Sequence, residues 1–257
     1  MEKNPLRTWL FSTGKIVKDV STRDVTHYML DGGKLDLTND YDLFQELYVK
    51  HIKCKNCIVE KKTEVFRFFI DFDILSTNIV DIHDYAICVQ NVMFNVYKDP
   101  NLKCIITKAD NSKDVKKGET TFIKQGYHFN WPDILVDKAI ALRIRENILV
   151  SINTLYGKPE TFHDSWDKII DKCVYDKNGL RLVGSDKCVY SDGKYTYENR
   201  VYNYSACYIG NKPSEICDKI YESNLLKVIQ DTSIRTIETK LTTFHDLPEY
   251  EETEEDF

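Results

Sequence analysis

Apolar and polar positions along this chain follow two rhythms, one of strands and one of helices. Between residues 65 and 74 every position except Arg67, Asp71 and Asp73 is aliphatic or aromatic, which predicts a buried strand. Residues 82–97 put Ile82, Ala86, Val89, Val92, Met93 and Val96 on one helical face. Strands are expected over 102–107 and 122–131, the second ended by Pro132, with a polar, lysine-bearing hairpin at 110–121 between them. A second amphipathic helix is predicted over 136–153, a short strand over 180–185, and a closing helix over 213–229 with Pro213 near its first turn. Residues 194–209 alternate Tyr195, Tyr197, Tyr202, Tyr204 and Tyr208 with polar neighbours, as a half-buried strand pair would, or as a platform on which single-stranded bases stack.

The N-terminal stretch is less regular. Residues 7–11 and 27–30 read as short strands, and Leu43, Leu47 and Tyr48 give residues 42–51 a helical spacing. The pattern divides the chain into a small α/β module at 1–62, a larger module at 63–240 and an acidic, flexible tail or linker at 241–257.

Composition narrows the class. A chain of 257 residues with 42% hydrophobic and 12% aromatic side chains can bury one sizeable core. Its net charge of −6 argues against a nucleic-acid partner until the distribution is considered: from Asp246 onward there are seven acidic residues and no Lys or Arg, which leaves the body at +1. No apolar run approaches the ~18 residues that span a bilayer, and the first residues lack the apolar stretch of a secretory signal. A cytosol-like, reducing compartment and no membrane are therefore expected. Five of the eight cysteines, Cys57, Cys88, Cys104, Cys173 and Cys207, lie beside Ile, Val, Ala or Tyr, as partly buried thiols would. His51, Cys54 and Cys57 have a zinc-like spacing, but a structural site needs four ligands and no second close pair follows, so a turn is the expected structure and no structural zinc is assigned.

The chemistry gathers at three places. Asp71 and Asp73, two apart on a strand, point to one face and repel each other unless cations intervene; Mg²⁺ or Mn²⁺ is the usual partner of such carboxylates and of phosphates. A solvated Asp-x-Asp turn is the plainer alternative. On the strand at 122–131, Lys124, Gly126 and His128 share one face and present a cation, bare backbone and an imidazole, which suits a phosphate chain; taken alone, a histidine such as His128 in an aromatic strand is more often a satisfied core histidine. Farther on, Asp171 follows Ile169 and Ile170 as a strand-end carboxylate would, Arg181 lies opposite Leu180 and Leu182, and the turn Gly184-Ser185-Asp186-Lys187 offers a hydroxyl and an ammonium. Together these groups describe a metal–triphosphate site.

The order Asp71-x-Asp73, Gly126-x-His128, then Ile170-Asp171 resembles the three motifs of the archaeo-eukaryotic primase superfamily. The segment from Asp171 through Leu180-Arg-Leu-Val-Gly-Ser-Asp-Lys187 is similar to the N-terminal primase domains of primase-helicases from large DNA viruses and their primase-polymerase relatives. The resemblance implies an α/β (α+β) fold in which a small N-terminal α/β module packs on an RRM-like catalytic module. It implies that Asp71, Asp73 and Asp171 hold two divalent ions and that Lys124, His128, Arg181, Ser185 and Lys187 bind the nucleotide. It further implies nucleoside triphosphates and single-stranded DNA as partners, with a helicase domain C-terminal to this segment or in trans. Gly126 stands where many members carry Ser, and no Gly-x-x-x-x-Gly-Lys-Ser/Thr loop is present. Two other readings stay open: a different metal-dependent nucleotidyltransferase or nuclease, and a non-catalytic RRM-like binding module.

Overall fold

The computed structural model describes residues 4–17, 25–176 and 179–247. Helix α1 (Pro5–Ser12) opens the chain, followed by β1 (His27–Met29), β2 (Lys34–Leu35), α2 (Tyr41–Lys50) and β3 (Ile58–Glu60). Then come β4 (Phe66–Ser76), α3 (His83–Tyr97), β5 (Lys103–Ala109), β6 (Lys113–Lys117), β7 (Thr120–Val136) and α4 (Lys138–Tyr156). The last third holds α5 (Trp166–Ile169), a 3₁₀ turn (Cys173–Tyr175), β8 (Leu180–Arg181), β9 (Cys188–Ser191), β10 (Lys194–Tyr197), β11 (Tyr202–Ile209), β12 (Lys212–Pro213), α6 (Glu215–Ser223) and α7 (Leu225–Thr232).

The main sheet runs β12-β11-β5-β7-β4, all antiparallel, with β6 folded back on the start of β7. Alternation along β4 sends Ile70, Phe72 and Ile74 into a core shared with α3 and α4, so Asp71 and Asp73 face the other way. Tyr127, Phe129 and Trp131 on β7 join that core and leave Lys124, Gly126 and His128 on the face of the aspartates. On the other side of the sheet, β1, β2 and β3 form a small sheet that β8 completes, in the order β2-β1-β3-β8. The second core lies between them, where Leu6, Leu35, Phe44 and Tyr48 meet Ile105, Cys207, Val228 and Ile229. This is the mixed α/β architecture expected of the fold.

Several elements depart from expectation. Residues 7–11 are helix rather than strand: Asn4 accepts the Arg7 N–H at 3.3 Å as an N-cap, Pro5 takes the first turn, and Leu6 and Leu10 stack inward. Strand β7 continues past Pro132 to Val136, because the proline sits where the β4–β7 register shifts and no ladder N–H is needed. Ile169 ends a short helix, and Ile170 makes a single bridge to Phe72 in place of a strand. The 180–185 strand is two residues long, and Gly184 then turns with φ +79°, where a Cβ would also strike Ile52. The tyrosine-rich stretch splits between a β9–β10 hairpin and β11. The closing helix is two helices, broken at Asn224, whose side chain caps α7 through the Lys227 N–H, and Pro213 falls outside both. Cys173 is exposed, against the partial burial its apolar neighbours suggest, while Cys57, Cys88, Cys104 and Cys207 are buried. Residues 241–247 do not begin a free tail: the Thr242 N–H bonds to the Leu135 carbonyl, His245 N–H to that of Val96, and Leu247 is buried. Residues 248–257 lie outside the described residues. Among the described residues no helix is long and apolar enough to cross a membrane.

Candidate active site

Pairing of β4 with β7 sets the first two groups in register. Asp71 stands opposite His128, Asp73 opposite Gly126, and Lys124 reaches diagonally to Asp73, Nζ to Oδ2 2.7 Å. Asp171, a hundred residues later in sequence, is brought alongside by the Ile170–Phe72 bridge and by its own N–H, which donates to the Asp71 carbonyl at 3.2 Å. All three carboxylates line one cleft of about 340 Å³ with Lys124, His128, Arg181, Lys187, Arg200 and Tyr202. Arg181 and Lys187 reach the cleft from either end of the turn after β8, which both sheets hold: Leu182 N–H donates to Ile58 O (3.1 Å) and Gly184 N–H to Tyr202 O (2.8 Å).

The electrostatics follow from this enclosure. Burial, and next the neighbouring Asp73 carboxylate, push the Asp71 carboxyl up to about 8, and its Oδ1 is enclosed without a hydrogen-bond partner. His128 lies 3.7 Å from that oxygen and stacks on Tyr202 with centroids 3.5 Å apart; burial, then Arg181, hold its imidazole well below the ordinary histidine range, so it is neutral. Burial, then Lys124, lower Lys187 below the usual lysine value. Arg181 rests over the Tyr202 ring at 4.7 Å and donates from Nη1 to the Arg200 carbonyl at 2.7 Å.

Ser185 does not line this cleft. It is fully buried, bonded to the Tyr48 hydroxyl at 2.8 Å and accepting the Ile58 N–H at 3.0 Å, so its hydroxyl joins the two modules instead of facing a ligand. The aspartates, as placed, do not form a finished cage. Asp73 is paired with Lys124, Asp171 Oδ1 caps the Cys173 N–H at 2.8 Å, and among the described residues no three acidic, His or Cys side chains are grouped to hold one ion. The donor set still fits a hard divalent cation: three carboxylates border one cleft, and one of their oxygens is buried without a proton donor.

Arg200 and Tyr202 are the cleft residues that sequence reasoning passed over. Tyr202 was visible only as one of five alternating tyrosines; the i, i+2 spacing of Arg200 and Tyr202, which sends both to one face, was the available signal. Gly126 accommodates them: a Cβ there would stand 2.6 Å from the Tyr202 hydroxyl.

No curated protein matches the sequence. The family described as the C962R protein N-terminal AEP domain matches residues 26–202, more than two thirds of the chain and the whole span from β1 to Tyr202. The chain therefore belongs to that family and is an archaeo-eukaryotic primase domain of the kind found in the primase-helicases of large DNA viruses, a nucleotidyltransferase-type domain for which nucleotides and nucleic acid are the implied substrates.

Proposed function

We propose that this domain is the catalytic domain of a template-directed DNA primase or primase-polymerase, which joins nucleoside triphosphates into short primers on single-stranded DNA. The observation that carries the reading is the backbone bond from Asp171 to Asp71, which brings three carboxylates into one cleft with Arg181 and Lys187. In the reaction a 3′-hydroxyl gives up its proton to solvent as its oxygen bonds to the α-phosphorus, the α–β phosphoanhydride bond breaks, and pyrophosphate departs with its electron pair.

Asp71, Asp73 and Asp171 would hold Mg²⁺ or Mn²⁺. The chemistry such ions would supply when bound is a lower pKa for the attacking hydroxyl and charge compensation for the leaving pyrophosphate. Lys124, Arg181 and Lys187 counter the charge of the triphosphate. Neutral His128 can donate one N–H to a phosphate oxygen without adding charge, and its stacking on Tyr202 fixes the ring plane. A helicase domain, C-terminal or in trans, and a reducing site of action, the host cytoplasm or a viral replication factory, belong to the same proposal.

The test is primer synthesis on single-stranded template with Mn²⁺ or Mg²⁺ and labelled nucleotides. Asp71→Ala and Asp171→Ala should each remove essentially all product while keeping the fold. Full activity in Asp171→Ala overturns the reading, and template degradation in place of synthesis assigns the site to a nuclease.

A further inference from the structure

Arg200 is only 3% exposed, yet its Nε and Nη2 are enclosed without a hydrogen-bond partner. Nη2 lies 3.3 Å from where a Cβ on Gly126 would stand, and the same point is 2.6 Å from the Tyr202 hydroxyl and 3.4 Å from Asp73 Oδ1. A guanidinium, a phenol and a carboxylate thus meet over the bare Cα of Gly126, inside the cleft. The backbone that presents Arg200 is held from several sides. Asp186 accepts the N–H groups of Asn199 (3.1 Å) and Arg200 (2.7 Å), Arg181 donates to the Arg200 carbonyl, and Asn199 adopts φ +52°. A buried planar cation with two idle nitrogens is costly unless an anion meets it. Asp73 is not that anion: Lys124 holds its Oδ2, and neither carboxylate oxygen pairs with the guanidinium.

We propose that Arg200 is a phosphate-binding residue of this cleft and that its partner is the polyphosphate of a nucleoside triphosphate. The inference rests on the nucleotidyl-transfer reading above. Four cationic side chains, Lys124, Arg181, Lys187 and Arg200, border one cleft of about 340 Å³. They match a compact anion of several charges better than a single strand, whose phosphates are spread along an open groove. The fork of Nε and Nη2 also suits two oxygens of one phosphate.

The full chain and its Arg200→Gln and Arg200→Lys variants should be titrated by calorimetry with inorganic tripolyphosphate and with a non-hydrolysable nucleoside triphosphate plus Mg²⁺, and separately with single-stranded DNA. Arg200→Gln should bind both phosphate ligands about tenfold or more weakly, and Arg200→Lys should recover part of that loss. DNA affinity should stay within about twofold, and the unfolding temperature without ligand should not fall. Unchanged phosphate binding in Arg200→Gln, with or without a lowered unfolding temperature, overturns this inference and leaves the primase reading standing. Loss of DNA affinity alone assigns Arg200 to the template and also overturns it. A folded wild-type protein that binds neither phosphate ligand overturns both. If Arg200→Gln does not fold, Arg200→Lys decides: phosphate binding equal to wild type overturns the inference, and an intermediate loss supports it.

Discussion

Asp71 and His128 face each other across β4 and β7 with Oδ1 and Nε2 3.7 Å apart, too far for a hydrogen bond. Burial raises the carboxyl and lowers the imidazole, so enclosure works against the charge that each could carry. The orphaned oxygen is a fold-level cost that a bound cation would offset.

Metal and stability should therefore be linked through Asp71. Mg²⁺ or Mn²⁺ at about a hundred times its dissociation constant should stabilise the wild type by ~2.7 kcal/mol, a rise of several degrees in Tm for a domain of this size. Asp71→Asn should lose most of that rise, match or exceed the wild-type Tm without metal, and make no primer. Thermal unfolding with and without metal checks this; a variant several degrees less stable without metal would mean that the carboxylate already has a structural partner.

Ser185 should behave as a structural residue. Ser185→Ala removes the acceptor of the Ile58 N–H and one of two partners of the Tyr48 hydroxyl, which keeps its bond to the Val183 carbonyl, at a cost of about 1–3 kcal/mol. The KM for nucleotide should stay within about twofold of wild type. A large rise in KM with unchanged stability would return Ser185 to the phosphate site.

The part of the site legible in the sequence was the part written in local alternation. Asp71 with Asp73, and Lys124 with Gly126 and His128, follow from period two on strands rich in aromatic residues, and the register of β4 with β7 then puts them face to face. Asp171 was placed through a wrong local structure, since a helix end and a single bridge do the work assigned to a strand. Ser185 was misplaced because a turn residue's side chain follows no alternation; its direction is set by Tyr48, 137 positions earlier. The missed helix α1 was written in its cap, Asn4-Pro5, rather than in its apolar spacing.

Gly126 and Tyr202 compete for one volume. Gly126→Ala would bring a methyl within 2.6 Å of the Tyr202 hydroxyl and displace a ring that stacks on His128, so it should lose about 1–3 kcal/mol and most synthesis. Tyr202→Phe removes the obstructing oxygen. The double variant should recover more than half of the lost stability, and a double-mutant cycle by chemical denaturation measures the coupling. Strict additivity would show that the clash is relieved elsewhere.

Acid should weaken the contact between the small sheet and the C-terminal helices. His27 is fully buried between the rings of Tyr41 and Phe44, with Nε2 3.7 Å from Glu60. Burial holds its pKa below the ordinary histidine value of 6.5 against the opposing pull of Glu60. Burial alone would raise Glu60, but His27 and the hydroxyls of Tyr41 and Ser233 bring it below its ordinary 4.5, and the Ile234 N–H donates to it at 2.7 Å. Both groups therefore bind protons more readily when unfolded. Their stabilisation is present above about pH 6.5 and is lost as pH falls, first through His27 and then, below about 4.5, through Glu60. Each contributes at most ~1.4 kcal/mol per pH unit. His128 is depressed too and acts in the same direction, whereas Asp71, raised to about 8, acts in the opposite one, so the contribution of His27 is read as a difference: His27→Phe should lose less stability, or gain more, than wild type between pH 7 and 5. Urea denaturation of wild type and His27→Phe at half-unit intervals reads that difference directly, and identical slopes in the two proteins would show that His27 contributes none of it.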